Sequence, residues 1–302
     1  MPNQEALATV VVPTLNPGIG IGRLVQSLCS QSVSLDVLIV DSGSDPASLD
    51  AIRAAGVRIA HVKPEDFGHG ATRNFGASLA TTSVVCFMTQ DAVPADRFAI
   101  ESLIEPILAG RAEATYGRQV PDATASPLER FARSYNYPMV EVARNSPIRR
   151  VFFSNAFSAI HKQTFQFVGG FPTHTIMNED MVFAARLRRA GYRVAYVPEA
   201  VVEHSHDYTL MQTFRRYFDI GVVFEQAKDD LKGLDATGEG IRYVRGLFTT
   251  LLRERQYAWL AAAVAESAAK WVGTFLGKRY KSLPMSLVRR LSMHRRYWDR
   301  PA

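Results

Sequence analysis

Cysteine is scarce in this 302-residue chain, which has two, Cys29 and Cys86. They form no C-x-x-C pair or zinc-type spacing, which counts against a dithiol motif or a structural zinc centre, and both read as small core residues in a reducing compartment. Long apolar runs are missing too. The longest stretch of the C-terminal region that suits lipid, residues 259–265, falls far short of the roughly 20 residues needed to span a bilayer. The N-terminus reaches the apolar run at 7–12 without a basic segment or a small-residue cleavage site, so no signal peptide is expected and a cytoplasmic location is. There is no internal repeat and no low-complexity tract. No G-x-G-x-x-G follows the first apolar run, where Pro13 to Gly20 stands instead, which counts against a dinucleotide-dependent oxidoreductase.

What is present is a chain with 47% hydrophobic residues and a net charge of +6, enough apolar material for a full core. The charge is unevenly placed. Residues 241–302 carry thirteen Lys or Arg against three acids, +10, which leaves −4 for the first 240. A basic tail on a mildly acidic body points to an anionic membrane surface or a polyanionic partner rather than a basic catalytic groove. Nucleic acid is not an expected partner, because the basic and aromatic residues gather in the tail with no recognised module around them.

The first 120 residues alternate short apolar runs (7–12, 35–40, 57–62, 84–88, 112–116) with helix-like stretches (21–31, 46–55, 70–80, 97–109). That rhythm predicts a mostly parallel α/β sheet with helices on both faces. From 118 to 178 the pattern is broken by Pro121, Pro127, Pro138 and Pro147 and reads as loops and short elements. A helix at 179–190, a strand at 193–197 and a helix at 209–228 follow. After a polar hinge at 229–239, helical stretches are expected at 241–270 and 271–297, with Pro284 between two basic segments. The expected organisation is therefore an α/β domain over 1–228, divided at 117/118, with a C-terminal helical extension over 229–302. The tail's aromatic residues interleaved with Arg and Lys suit a helix lying among lipid headgroups, or packing on the catalytic body or a second subunit in a homo-oligomer.

In such sheets ligands bind beyond the carboxyl ends of the strands, which directs attention to Pro13-Thr14-Leu15-Asn16, Asp41-Ser42-Gly43-Ser44-Asp45 and Thr89-Gln90-Asp91. Asp41 stands where it would accept a hydrogen bond from a base or ribose, while Ser44 or Asp45 ahead of Pro46 also suits a helix cap. Asp91 offers hard oxygen ligands for Mg²⁺ or Mn²⁺, or simply caps a turn. His69-Gly70-Ala71-Thr72-Arg73-Asn74 opens a helix whose free N–H groups, with Arg73, suit phosphate. Asn178-Glu179-Asp180 opens another. Its acids complement the helix dipole, and Asp180 is the candidate base for an acceptor hydroxyl. In His204-Ser205-His206 the two imidazoles face the same way from an extended segment, so one of them, His204 for preference, can join Asp91 at a metal.

The ordered set V-V-V-P-T-L-N, V-D-S-G-S-x-D, T-Q-D-A, G-G-F, N-E-D and E-H-S-H resembles the family 2 glycosyltransferases of the GT-A fold. More narrowly, F-G-H-G-A-T-R-N, Y-G-R-Q, F-S-N-A-F-S-A-I and H-S-H-D-Y-T resemble bacterial rhamnosyltransferases of O-antigen and surface-polysaccharide synthesis. The resemblance covers residues 7 to about 225 and returns at 283–298. It implies a nucleotide held by Thr14, Asn16, Asp41, Arg73 and Gln90, and a divalent metal and the diphosphate at Asp91. His204 completes the metal site, Asp180 is the inverting base, and Arg118, Gln119, Ser154, Asn155, Asn178 and Glu179 line the sugar or acceptor side. It further implies a dTDP-L-rhamnose donor, a lipid-linked saccharide acceptor, and an enzyme peripheral on the inner face of the cell membrane. Thr89 stands where the family's D-x-D has its first aspartate, leaving one carboxylate for the metal. Gln212 to Tyr217 only faintly resembles the Q-x-x-R-W of processive synthases, since Arg216 replaces the tryptophan, so single additions are expected. Two other classes stay open at this point. One is a nucleotidyltransferase on a similar sheet; the other is a non-catalytic membrane-associated scaffold derived from a transferase.

Overall fold

The computed structural model of the chain describes residues 5–18, 20–140, 152–234 and 237–299. Pro147 and residues 235–236 of the expected hinge lie outside them. The apolar runs become strands β1 (Ala8–Thr14), β2 (Leu35–Asp41), β3 (Arg58–His61) and β4 (Val84–Met88), followed by β5 (Val93–Pro94), β6 (Ala114–Val120), β7 (Phe157–His161) and β8 (Val194–Glu203). Together they form an eight-stranded sheet of order β3-β2-β1-β4-β7-β6-β8-β5. The pairs β1–β2, β1–β4, β2–β3 and β6–β8 are parallel. Strand β7 runs antiparallel between β4 and β6, and β5 antiparallel along the end of β8.

Alternation along the strands supplies two cores. Val10, Val12, Ile39, Cys86 and Met88 face one side with Leu24 of α1 (Gly20–Cys29) and Leu103 of a helix at Ala99–Leu108. Val11, Leu38, Val40, Val85 and Phe87 face the other with Ala77 of the helix His69–Ser78. Both faces are covered because every second side chain must leave water. Strand β7 was not expected. Its five residues are buried or half-buried at the centre of the sheet, in a segment whose prolines pointed to loops. Cys29 also departs from expectation: Leu28 takes the inward position and Cys29 is exposed, whereas Cys86 is buried.

The C-terminal region divides differently from the expected 241–270 and 271–297. A helix at Thr237–Arg253 ends where Arg255 adopts φ 57°. There Gln256 N–H donates to Leu251 O at 2.8 Å and Arg255 N–H to Leu252 O at 3.2 Å, the paired closure that usually places glycine at the left-handed position. A second helix, Leu260–Gly277, follows, and a short one at Met285–Leu291 begins after Pro284. Leu260–Gly277 packs backbone to backbone against Leu210–Gln226. A Cβ on Gly277 would stand 2.0 Å from Phe218 O, and one on Gly273 2.6 Å from Phe214 O. Leu276, Tyr280, Leu283, Leu291, Tyr297 and Trp298 complete a third apolar cluster around Phe218 and Val222. No helix among the described residues is long and apolar enough to cross a membrane.

The close crossing makes Gly277→Ala costly, by about 1–3 kcal/mol of overpacking, seen as a lower urea midpoint. Gly240→Ala, whose Cβ meets nothing within 4 Å, should leave the midpoint unchanged or raise it.

Candidate active site

A cavity of about 430 Å³ opens near the carboxyl ends of β4, β6 and β8. Pairing of Val93 with Glu203 pins the loop carrying Asp91 against the end of β8, immediately before His204. Asp91 Oδ1 lies 3.5 Å from His204 Nε2, and its Oδ2 lies 3.4 Å from His206 Nε2. One ligand atom from each of the three lies within 4.8 Å of the others. Sequence reasoning required only one of the histidines; the structure brings both to the carboxylate.

Gln119 determines which proton His204 carries. Its Oε1 accepts from His204 Nδ1–H at 2.7 Å and from Arg133 Nη1. Its Nε2 donates to Tyr137 Oη at 2.7 Å and Ser154 Oγ at 2.9 Å. A carboxamide oxygen cannot donate, so the His204 proton sits on Nδ1 and the Nε2 lone pair faces Asp91, the form that ligates a cation. Burial and the positive charge of Arg133 push the His204 pKa down to about 3, which keeps the imidazole neutral. Glu129 secures the other end: its Oε1 accepts from Arg133 Nε at 2.6 Å and from the His206 backbone N–H at 3.2 Å. Glu129 and Arg133 lie one turn apart on the helix Pro127–Asn136. In the sequence they resemble an ordinary surface pair and carry no signal of this role. Gln119, expected on the sugar side, is 2% exposed and committed at both ends of its amide. Arg118, its neighbour on β6, does not line the cavity.

The second cluster is built on the helix Glu179–Arg189. Asn178 enters it with φ 53°, a left-handed conformation that asparagine tolerates. Asp180 Oδ2 accepts from the Asn155 backbone N–H at 3.0 Å and its Oδ1 from Met181 N–H at 2.8 Å. Glu179 Oε1 accepts from Asn155 Nδ2 at 3.0 Å and pairs with Arg73 Nη1 at 2.9 Å. Burial pushes the Glu179 carboxyl upward, but the charges of Arg73 and His69 and the hydrogen bond from Asn155 together outweigh it and hold the pKa below the usual range. Asp180 makes no ion pair among the described residues, and Arg73 acts on it only weakly. Burial and the adjacent Glu179 charge raise its pKa to about 6, suited to a base near neutral pH. Arg73 thus lines the same cavity as Asp180, and its Nε has no hydrogen-bond partner among the described residues.

The remaining expected nucleotide residues form a separate group outside this cavity. Thr14 is buried and its hydroxyl donates to Val12 O at 3.2 Å. Leu15 N–H donates to Gln90 Oε1 at 2.9 Å, and Gln90 Nε2 returns a bond to Leu15 O at 3.2 Å. Asn16 Oδ1 accepts from Asp45 N–H at 3.0 Å. Asp41 is buried, which raises its pKa, yet hydrogen bonds from Ser44, Gly43 and His61 more than offset this and leave it lowered. These bonds stitch the ends of β1, β2 and β4 into one rim. On the far side, Glu266, Lys270 and His294 of the C-terminal region, with Arg216 and Tyr217, also line the cavity. Lys270 Nζ pairs with Glu266 Oε1 at 2.5 Å. The expected appendage therefore supplies a wall of the site.

The donor set of one carboxylate and two imidazoles, with the His204 tautomer fixed by its neighbour, suits a divalent cation. A mostly parallel sheet with an acid, an imidazole pair and a raised carboxyl at its carboxyl edge suits a transferase of the GT-A class, and comparison with known proteins establishes the family. The profile of "Glycosyl transferase family 2" matches residues 9–169, and that of "Glycosyl transferase family group 2" matches 110–289. The chain belongs to glycosyl transferase family 2. It is 38% identical over 307 residues to the O-antigen chain rhamnosyltransferase RfbN of Salmonella typhimurium, covering 96% of each chain. It is 37% identical to the O-antigen chain rhamnosyltransferase WbaN of Salmonella anatum, covering 96% of this chain and 95% of that one. In fold it is similar to a Pyrobaculum calidifontis mannosyltransferase solved with GDP-Man and Mn²⁺, with a TM-score of 0.60 and 19% identity, covering 99% and 86% of the two chains. It is also similar to S. aureus TarS 1–349, with a TM-score of 0.55 and 17% identity over 95% and 83%.

Removing the Gln119 acceptor in Gln119→Leu frees the His204 tautomer. Mn²⁺ affinity measured by calorimetry should fall by roughly ten- to a hundredfold.

Proposed function

We propose that the chain is an inverting transferase that moves L-rhamnose from dTDP-L-rhamnose onto a lipid-linked saccharide, in O-antigen or related surface-polysaccharide synthesis at the inner face of an anionic membrane. The observation that carries the transfer chemistry is the placing of Asp180, with its pKa near 6, in the same cavity as Asp91, His204 and His206. The sugar and acceptor are supported by 38% and 37% identity, over nearly the whole chain, to two O-antigen chain rhamnosyltransferases.

In this reading Asp180 takes the proton from the acceptor hydroxyl as that oxygen attacks the anomeric carbon. The bond from that carbon to the diphosphate oxygen breaks on the opposite face, which inverts the configuration. The Asn155 and Met181 N–H groups hold the Asp180 carboxylate in one orientation. Arg73 neutralises Glu179, so that proton uptake falls to Asp180. Asp91, His204 and His206 would hold a divalent cation, which when bound neutralises charge on the departing diphosphate. Two imidazoles in the set favour Mn²⁺ over Mg²⁺. Thr14, Asn16, Asp41 and Gln90 take the nucleotide at the rim, with Arg73 at its diphosphate end. Ser154, Asn155 and Asn178 face the sugar, Glu179 and Gln119 support that wall, and Arg118 contributes from beside it. Residues 1–117 form the nucleotide half and 118–228 the acceptor half, with 229–302 closing the site and meeting the membrane.

Calorimetry with dTDP, UDP and GDP, with and without Mn²⁺ or Mg²⁺, tests the donor. Metal-strengthened dTDP binding that disappears in Asp91→Ala is expected; preference for another nucleotide would replace rhamnose with a different nucleotide sugar, and no binding at all would leave a non-catalytic scaffold. Asp180 must be ionised to act, so kcat should fall as pH drops through about 6. Asp180→Asn should lower kcat by about 10²- to 10⁴-fold with dTDP binding retained. A product keeping the donor's anomeric configuration, read by NMR, would contradict the mechanism.

A further inference from the structure

The helix Leu260–Gly277 has two opposed and chemically unlike faces. Ala263, Gly273 and Gly277 are buried, Gly273 and Gly277 against the helix Leu210–Gln226, and Glu266 and Lys270 reach the cavity wall from the same side. At about 100° per residue these five positions form one stripe. The opposite stripe holds Ala261, Val264, Ala268, Trp271 and Phe275, all exposed. Val264 is 57% exposed, Trp271 68% and Phe275 41%. The Trp271 and Phe275 rings stack at 5.6 Å, and the Arg279 guanidinium lies 3.8 Å from the Phe275 centroid. A contiguous apolar ridge of this kind on a folded chain marks an interaction surface.

The surrounding charge identifies the partner. Between residues 256 and 291 the only acid is Glu266, and it turns inward to Lys270. Lys278, Arg279, Lys281, Arg289 and Arg290 are all exposed around the C-terminal end of the ridge. Lys281 pairs with Glu225 and Arg289 with Asp299, while Lys278, Arg279 and Arg290 have no acidic partner among the described residues. A second copy docking the same patch two-fold would bring no acid to these cations. We propose that the Val264–Trp271–Phe275 face lies on an anionic bilayer, with its aromatic rings at the headgroup boundary and the neighbouring cations at phosphate level. The inference rests on the membrane-side reading of function and specifies the face. It has a geometric consequence for that reading. The inner face of the same helix walls the catalytic cavity, so the cavity stands about one helix diameter, roughly 10 Å, from the lipid surface, within reach of a saccharide still attached to its lipid.

The test is co-sedimentation of the full chain with phosphatidylglycerol/phosphatidylcholine vesicles and with phosphatidylcholine vesicles alone. It compares the wild type, the double variant Trp271→Ser with Phe275→Ser, and Phe167→Ser as a control at an exposed phenylalanine elsewhere. Binding to the anionic vesicles that weakens with added salt, drops at least tenfold in the double variant and is unchanged in Phe167→Ser supports the proposal. Metal-dependent dTDP binding, retained in the double variant, shows that it is folded. If the double variant binds vesicles as tightly as the wild type, this face is not the membrane surface, although membrane association itself stands. If the wild type binds no anionic vesicles, the proposal fails while the transferase reading, judged by nucleotide binding, is unaffected. A wild-type dimer that the double variant dissociates would assign the ridge to self-association and overturn the proposal.

Discussion

Two carboxylates adjacent in sequence, Glu179 and Asp180, face one cavity, and both cannot be charged in a poorly hydrated site without compensation. The resolution is an asymmetric one. Arg73, buried beside Glu179 at 2.9 Å, acts with His69 and Asn155 to keep that group ionised, and burial together with the Glu179 charge raises its neighbour to about 6. Asn155 ties the pair together, through its side chain to Glu179 and its backbone N–H to Asp180. Much of the fold serves this arrangement. The helix His69–Ser78 delivers Arg73, strand β7 places Asn155 just before it, and the left-handed Asn178 turns the chain so that both acids enter the first turn of their helix.

The cation side of the cavity follows a parallel logic, in which a ligand is oriented by a buried partner. Thr89 stands at the place of the first aspartate of D-x-D, and the structure brings two imidazoles, His204 and His206, to Asp91. Their orientation depends on Gln119, Arg133 and Glu129, so the helix Pro127–Asn136 is part of the ligand support although none of its side chains belongs to the donor set. This arrangement also explains why Gln119, which lines the cavity, is buried among polar partners at the end of β6.

The C-terminal region shows how one helix can serve two surroundings. Its small residues permit backbone contact with Leu210–Gln226, its Glu266 and Lys270 face the cavity, and its aromatic ridge remains outside. The basic tail read from composition as an appendage is in position a structural wall, and only its outer side is left for a partner.

Much of the design was legible in the residues alone. The short apolar runs dictated the parallel half of the sheet, the polar residues following them marked Asp41, Asp91 and the H-x-H pair, because ligands in such folds bind beyond the carboxyl ends of the strands, and a helix start marked Asp180. The helix expected at 209–228 begins in the structure with a reciprocal cap between Thr209 and Gln212. Other features depended on tertiary structure. Strand β7 has too short a run, amid prolines, for periodicity to distinguish it from a loop, and its place is determined by pairing with β4 and β6. The closure at Arg255 uses a residue with no turn preference. The roles of Arg133, Gln119 and Asn155, the pairing of Arg73 with Glu179, and the entry of Lys270 and His294 into the cavity are contacts between segments far apart in the chain. Local pattern records which side chains must leave water and which must end a helix; which distant partner a buried polar group finds is decided only when the layers pack.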